Sequence, residues 1–236
     1  MKDTFGKALY NYWSGDHRMP LVIRRDDGYY EKGSMKVFFT RKFYPTENIA
    51  AHHISGKILD VGCGVGRHVL HFQKRGFDIT GIDNSPFAIK VCRERGCMKV
   101  KVMDALRLKF PPESFDTILL FGHNIGISGT MAGAKRLLSS LRKLIRPDGI
   151  LVMTSTDVTK TKKKAHKKYH RSNIKAGRYV GQVVVRVEYK DHLGDWFKWL
   201  HVKPKDLKKL AKATGWKVVE LHETKSGEYS AVLGSY

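Results

Sequence analysis

Regularly spaced glycines follow the first strongly apolar segment of the chain. The pattern D-x-G-x-G-x-G begins at Asp60, and a second apolar run over residues 79–82 ends in Asp83. Glycine lets a backbone turn tightly and approach a ligand closely, and a carboxylate accepts hydrogen bonds. A parallel strand–helix–strand unit binds its ligand at the carboxyl ends of its strands, beside the helix N-terminus. Both features lie at those ends, so this stretch predicts a ligand-binding site.

The spacing of the glycines separates two classes of cofactor. Dinucleotide-binding enzymes carry G-x-G-x-x-G at this turn. Gly62 and Gly64 satisfy its first two positions, but the third falls on Arg67. A nicotinamide enzyme and an ordinary turn without a ligand therefore remain only as alternatives.

The glycine pattern together with Asp83 resembles motif I and the following acidic motif of the class I S-adenosylmethionine-dependent methyltransferases. The resemblance implies an α/β fold, a Rossmann-like, doubly wound, mostly parallel seven-stranded sheet with an antiparallel last strand. It implies S-adenosyl-L-methionine as cofactor, with Asp60 near its ammonium group and Asp83 on its ribose hydroxyls. The cofactor-binding residues expected on this basis are Asp60, Gly62, Cys63, Gly64, Gly66, Asp83, Asn84, Asp104, Ala105, Phe121 and Gly122.

Asp104 and Ala105 follow an alternating apolar segment, residues 98–103, that predicts the third strand of the sheet. In the methyltransferases an acid at this strand end commonly accepts a hydrogen bond from the adenine amino group, and the next backbone amide meets the ring. The resemblance therefore implies an adenine site here. A loop acid without a ligand is the alternative.

A buried run over residues 115–121 predicts the fourth strand, which ends near His123 and Asn124. The family places its motif IV here, where the substrate and the transferable methyl meet. His123 could act as a general base because an imidazole titrates near neutral pH, and Asn124 could orient a substrate. Tyr189, with Glu188 beside it, is a further catalytic candidate. A purely structural role for His123 and Asn124 stays open.

The elements that must position these residues extend beyond the minimal methyltransferase fold. We expect an N-terminal lid or cap over residues 1–55 and a methyltransferase domain over 56–236, with an insertion at 156–203. The resemblance covers 56–155 closely and 204–236 less closely. The cap and the insertion are the segments that could select the substrate.

Within the cap, the apolar triplets at 21–23 and 37–39 predict two strands on either side of the turn signal Asp27-Gly28. An extended or hairpin-like segment is expected there.

Within the insertion, the stretch 160–178 is rich in lysine and arginine and predicts an exposed loop or short helix. The stretches 182–190 and 196–202 predict a β-hairpin with its turn at 192–195.

The composition indicates a globular protein. Its charge is compatible with an anionic binding partner. The chain has 236 residues, 42% of them hydrophobic, and its 44 Lys and Arg against 22 Asp and Glu give a net charge of +22. Such a charge favours RNA, DNA, a membrane surface or an acidic protein, or reflects a lysine-rich proteome. No apolar run reaches the ~18–20 residues that span a bilayer, so no membrane association is expected. The oligomeric state is not indicated.

Three cysteines, Cys63, Cys92 and Cys97, are an odd number without metal-ligand spacing, which indicates a reduced, cytoplasmic compartment. His52 and His53 are adjacent in a predicted short helix, where neighbouring side chains point in different directions. No metal site is therefore expected.

The predicted reaction is methyl transfer by in-line displacement to a nucleophile on a small-molecule metabolite. Two alternatives stay open. The positive charge would also suit an RNA or ribonucleoprotein methyltransferase, and the cofactor-binding residues alone would suit a regulatory protein that binds S-adenosylmethionine without catalysis.

Overall fold

The computed structural model describes residues 2–235. Its helices are α1 (Thr4–Trp13), α2 (Lys36–Phe39), α3 (Pro45–Ala51), α4 (Arg67–Gln73), α5 (Pro86–Glu94), α6 (Met131–Leu144), α7 (Lys164–Lys175) and α8 (Pro204–Ala213). Its strands are β1 (Leu21–Arg25), β2 (Tyr30–Gly33), β3 (Ile58–Val61), β4 (Ile79–Asp83), β5 (Val100–Val102), β6 (Phe115–Leu120), β7 (Ile145–Thr156), β8 (Gln182–Tyr189), β9 (His192–Leu193), β10 (Phe197–Leu200), β11 (Trp216–Glu223) and β12 (Glu228–Ser235). Short 3-10 turns occupy Asn124–Ser128 and Val158–Lys160.

A seven-stranded sheet forms the body of the molecule, with strand order β11-β12-β7-β6-β3-β4-β5. Strands β3 to β7 are mutually parallel. Strand β12 lies between β7 and β11 and is antiparallel to both. The predicted fold, a mostly parallel seven-stranded sheet with an antiparallel last strand, is confirmed.

Alternate residues of the central strand β6 supply the two halves of the core. Ile118 and Leu120 belong to the cluster that packs under α6 and α8, and Leu119 belongs to the cluster on the opposite face, with Phe43 and Phe72. Because both faces are covered, β6 ends in a continuous apolar run, Ile118–Leu120, rather than alternating with polar residues.

A second sheet, called here the small sheet, joins the cap to the insertion. Its order is β10-β8-β1-β2, with β9 paired to β8, and every pairing is antiparallel. Alternate residues of β8, namely Val185, Val187 and Tyr189, are buried, whereas Arg186 and Glu188 are only partly buried. One face of the small sheet is therefore packed against the rest of the molecule.

The strand predicted at 37–39 is wrong, because these residues form helix α2. The partner of β1 is instead β2, after a turn in which Gly28 has φ +88°. Phe38 and Phe39 pack on α1, with ring centroids 5.2 Å from Phe5 and 4.9 Å from Tyr12. A run of three apolar residues is compatible with a strand and equally with a helix that packs on a neighbouring helix.

One detail of the insertion differs from the prediction, whereas the basic stretch takes one of its two predicted forms, an exposed helix. The hairpin turn lies at Lys190-Asp191, since Tyr189 pairs with His192, and not at 192–195. Most of the basic stretch is helix α7, which buries Tyr169 and Asn173 and leaves its lysines outside. Among residues 2–235, no helix is both long and apolar enough to cross a membrane.

Candidate cofactor and acceptor site

The glycine loop, residues 62–66, turns directly after β3. Gly62, Gly64 and Gly66 have φ of +77°, +53° and +79°, a region that side chains disfavour. A Cβ on Gly66 would lie 2.4 Å from the Cys97 sulfur, whereas a Cβ on Gly64 would meet no atom within 4 Å. Gly66 is thus required by packing beneath the loop, and Gly64 presents bare backbone to open space.

Asp83 braces this loop from the end of β4. Its Oδ2 accepts a hydrogen bond from the Gly64 amide at 2.9 Å, and its Oδ1 accepts one from the Ser85 amide at 2.9 Å. Burial raises the pKa of Asp83 despite these bonds. Each carboxylate oxygen has a second lone pair, so Asp83 can also accept from two hydroxyls of a ligand.

Asp60 is the most unusual carboxylate of the site. It is 1% exposed, and neither oxygen has a hydrogen-bond partner among the described residues. The nearest cation is the ring of His68, whose Nδ1 lies 3.6 Å from Oδ2. A buried carboxylate without donors is costly, so a ligand carrying an ammonium group fits this position. Two carboxylates that can accept hydrogen bonds, Asp60 and Asp83, lie beside the open Gly64 backbone. This arrangement suits S-adenosyl-L-methionine.

Three residues behind Asp60 belong to the site although the sequence did not identify them. His68 Nε2 lies 3.2 Å from Glu47 Oε1, and Glu47 accepts two hydrogen bonds from the Arg67 guanidinium, at 2.8 and 2.5 Å. Burial opposes the charge, but hydrogen bonds from His68 and Arg67 lower the pKa of Glu47 to about 2. Burial likewise opposes the charge on His68, but Asp60 and Glu47 raise the pKa of His68 overall. In the sequence, the one feature that could have indicated this network is the pair of basic residues directly after the glycine pattern, Arg67 and His68.

Cys63 lies beneath the loop rather than on its open side. All the cysteines are buried, and Cys92 Sγ lies 3.1 Å from the Gly64 carbonyl oxygen. The contact with Cys92 lowers the pKa of Cys63, but burial and the nearby carboxylates raise it to about 11. The protonated thiol therefore serves as packing for the glycine loop.

The remaining cofactor candidates lie along the same edge of the sheet. Asp104 is exposed and its Oδ1 accepts from the Leu106 amide at 2.8 Å, while Ala105 is buried. Asn84 is exposed next to Asp83. Phe121 is buried against the ring of His68, with centroids 5.0 Å apart, and Gly122 has φ +66°.

His123 begins the loop after β6, residues 122–129, called here the His123 loop. Its Nε2 lies 2.7 Å from Oε2 of Glu228, at the start of β12. Burial opposes the charge of Glu228, but the bond to His123 lowers its pKa. The partly buried ring of His201 lies 6.0 Å from that of His123, and desolvation lowers its pKa to about 4. Glu228 and His201 were not predicted.

Asn124 and Tyr189 have different surroundings. The Asn124 amide nitrogen donates to the carbonyls of Val61 and Gly62, each at 2.8 Å, so it clamps the glycine loop to the His123 loop. Tyr189 is 1% exposed, and its hydroxyl has no partner among the described residues. Glu188, beside it, is bound to Arg24 at 2.7 and 3.0 Å.

The small sheet covers the His123 loop. A Cβ on Gly126 would lie 2.1 Å from Trp199 of β10, and one on Gly129 would lie 3.0 Å from Lys198. Helix α1 closes the neighbouring edge, since Asp3 accepts a hydrogen bond from the Ser85 hydroxyl at 2.7 Å. The loop that carries His123 therefore lies under a roof formed by the insertion.

Comparisons with known proteins agree with this geometry. The family model of the methyltransferase domain matches residues 58–149. EEF1A lysine methyltransferase 2 of Danio rerio is 27% identical over 163 residues, covering 63% of this chain and 69% of that protein. The ubiquinone biosynthesis O-methyltransferase of Rickettsia akari is 24% identical over 164 residues, covering 66% of this chain and 59% of that protein.

A solved structure is similar over nearly the whole chain. It is a SAM-dependent methyltransferase from Bacteroides fragilis in complex with S-adenosyl-L-homocysteine, with 28% identity and a TM-score of 0.85, covering 99% of this chain and 95% of that one. The CcbJ methyltransferase of Streptomyces caelestis has a TM-score of 0.61 at 12% identity, covering 83% and 92%, which shows a shared fold.

Proposed function

Because the chain belongs to the class I S-adenosylmethionine-dependent methyltransferases, we propose that it methylates a small-molecule metabolite between the glycine loop and the small sheet. The observation that carries this proposal is the contact of Trp199 with Gly126, which roofs the His123 loop. Because the small sheet lies directly over the loop, the space between them suits an acceptor small enough to be enclosed completely. It suits less well a residue on the surface of a large partner.

The chain's own residues would hold the cofactor at its two polar ends. S-adenosyl-L-methionine, when bound, supplies a methyl group on a sulfonium, which is already an activated leaving group. Asp83 would accept hydrogen bonds from the ribose hydroxyls, and Asp60 would face the ammonium group. The main task left to the protein is positioning of the acceptor. Asp104 and the Ala105 amide are proposed for the adenine ring.

His123 is proposed to take the proton that an amine or hydroxyl acceptor loses. With Nε2 donating to the Glu228 carboxylate at 2.7 Å, Nδ1 keeps its lone pair and is free to accept that proton. Glu228 then stabilises the positive charge on the ring. Tyr189, buried with a free hydroxyl, is proposed to orient the acceptor, and Asn124 to hold the two loops together.

Labelled cofactor tests the class of acceptor. The protein is incubated with S-adenosylmethionine carrying a radioactive methyl group and with cell extract, which is then separated by ultrafiltration into small-molecule and macromolecular fractions. The proposal expects the label in a new compound of the small-molecule fraction that chromatography separates from S-adenosylmethionine itself and that does not form without the protein. Label that is retained with macromolecules and released by protease would contradict it, as would no transfer at all, which would favour a regulatory role.

RNA is a second candidate substrate, favoured by helix α7. The helix carries lysine or arginine at five of its twelve positions and no acid, and these side chains are exposed. These cations are Lys164, Lys167, Lys168, Arg171 and Lys175. Phosphate binding by such a surface weakens steeply with salt. Label that becomes soluble after ribonuclease treatment, together with salt-dependent RNA binding, would favour this candidate.

A further inference from the structure

Two adjacent histidines end helix α3 on the side of the molecule away from the glycine loop. The sequence predicted both within the helix, where their side chains would diverge, but the helix ends at Ala51 and both histidines lie in the turn that follows. The centroids of their rings lie 4.0 Å apart, and the ring planes are tilted by 37°. The premise that excluded them as a metal pair is therefore wrong.

A carboxylate from another part of the chain completes the group. Glu220 of β11 places Oε2 at 2.6 Å from His53 Nε2 and 4.0 Å from His52 Nε2. One ligand atom from each of these residues lies within 4.8 Å of the other two.

We propose that His52, His53 and Glu220 bind a divalent transition-metal ion, with Zn²⁺ as the best match. Two imidazoles and one carboxylate are ligands that Zn²⁺ takes in open sites, where water fills the fourth position. Imidazole also suits Ni²⁺ and Cu²⁺, whereas Mg²⁺ and Ca²⁺ prefer oxygen ligands. The site is separate from the proposed cofactor site and does not depend on the proposed function.

The surroundings allow an ion to reach these ligands. The side chains of His52, His53 and Glu220 are 62%, 28% and 38% exposed, and His53 also lines an open surface depression. His222 lies two residues beyond Glu220 on the same strand, and alternate residues of a strand share a face. Its ring nitrogens do not join the group formed by His52, His53 and Glu220, so water is expected in the fourth position.

A bound ion would connect two parts of the fold that are far apart in sequence. Helix α3 belongs to the cap, whereas β11 is paired with β12 at the edge of the large sheet. An ion that binds only the folded protein stabilises it in proportion to the logarithm of its free concentration. The metal is thus expected to raise the unfolding temperature as well as to bind.

Calorimetric titration of ZnCl₂ into the full chain without an affinity tag tests the proposal. We expect saturable binding of one ion and a rise in the unfolding temperature. Glu220→Gln and His53→Ala should weaken binding by more than the roughly 10- to 100-fold that loss of an outer-sphere partner costs. Glu223→Gln changes an exposed acid of the same strand and should leave the affinity unchanged.

Cobalt provides an independent readout of the ligands. Co²⁺ in this site should give visible bands of a four- or five-coordinate ion without a thiolate charge-transfer band in the near ultraviolet. Such a charge-transfer band would assign the metal to the cysteines and overturn the proposal. Absence of saturable Zn²⁺ binding, or equal affinity of the wild type and Glu220→Gln, would overturn it too. All of the substituted side chains are at least partly exposed, so the variants are expected to fold.

Discussion

Nδ1 of His68 lies 3.6 Å from Oδ2 of Asp60, at the inner end of a buried chain of charges. The chain continues from His68 to Glu47 and from Glu47 to Arg67. It links helix α3 of the cap to the residue proposed to face the ammonium group of the cofactor. Protonated His68 offsets the charge of Asp60 when no ligand is present.

His68→Asn should therefore make stability depend differently on pH. The pKa of His68 is raised above 6.5 in the folded state, so its protonation stabilises the fold fully below about pH 6.5, and this contribution is lost as pH rises through the raised value. We expect the variant to be least stable relative to wild type in mild acid. Urea unfolding of both proteins without cofactor, from about pH 6 to about pH 9, measures the difference.

The free energy difference between wild type and His68→Asn should shrink as the pH rises. A difference that stays constant would mean that His68 has the same pKa in the folded and the unfolded protein, which would contradict its role in this network. His17→Asn is the control, because that histidine is exposed and lies outside the charged network.

Glu47→Gln should destabilise the protein strongly. Glu47 and Arg67 are 1% and 9% exposed, and removing the carboxylate leaves a buried guanidinium without its partner. Such a loss costs about 3–5 kcal/mol. Denaturant unfolding measures it, and the double variant Glu47→Gln/Arg67→Met should recover part of the loss because the unpaired cation is gone. Additive effects of the two substitutions would contradict a coupled pair.

Asp83→Ala should abolish tight cofactor binding. Hydrogen bonds to a charged group contribute about 1.5–3 kcal/mol each, so the loss of two ribose bonds weakens binding by about 100-fold or more. Titration calorimetry with S-adenosyl-L-homocysteine measures this. Asp148→Ala removes an exposed acid from the turn between α6 and the main part of β7 and serves as the matched control. Unchanged affinity of Asp83→Ala would reject the ribose assignment.

The large sheet could be predicted from the sequence because its signals are local. Strands β3, β4 and β6 contain short apolar runs that end at or next to a glycine or an acid, and a crossover helix such as α5 has its own start and stop residues. Ser85 caps α5 and Pro86 begins it. The spacing of three glycines and Asp83 was enough to indicate the class of cofactor.

The parts that could not be predicted depend on contacts between residues far apart in sequence. His123 and Glu228 are 105 positions apart, and Arg24 and Glu188 are 164 apart. Nothing in the local pattern of β1 indicates that it pairs with β8, and nothing around Glu228 distinguishes it from an ordinary turn acid. The same holds for Glu220, whose partner histidines lie in another segment.

His123→Ala should slow methyl transfer without lowering the affinity for the cofactor. If His123 accepts the proton of the acceptor, its loss costs about 10²- to 10⁴-fold in rate, whereas the residue that its side chain bonds is Glu228. Glu228→Gln keeps a hydrogen-bond acceptor for His123 but removes the charge, so a smaller loss in the same direction is expected. The initial rate at which label appears in the methylated small-molecule product, separated from the cofactor by chromatography, gives the activity, and calorimetry with S-adenosyl-L-homocysteine gives the affinity. Asn124→Ala should mainly weaken cofactor binding, because the Asn124 amide donates to the carbonyls of Val61 and Gly62. If His123→Ala transfers label at the wild-type rate, the acceptor needs no base and His123 only shapes the loop.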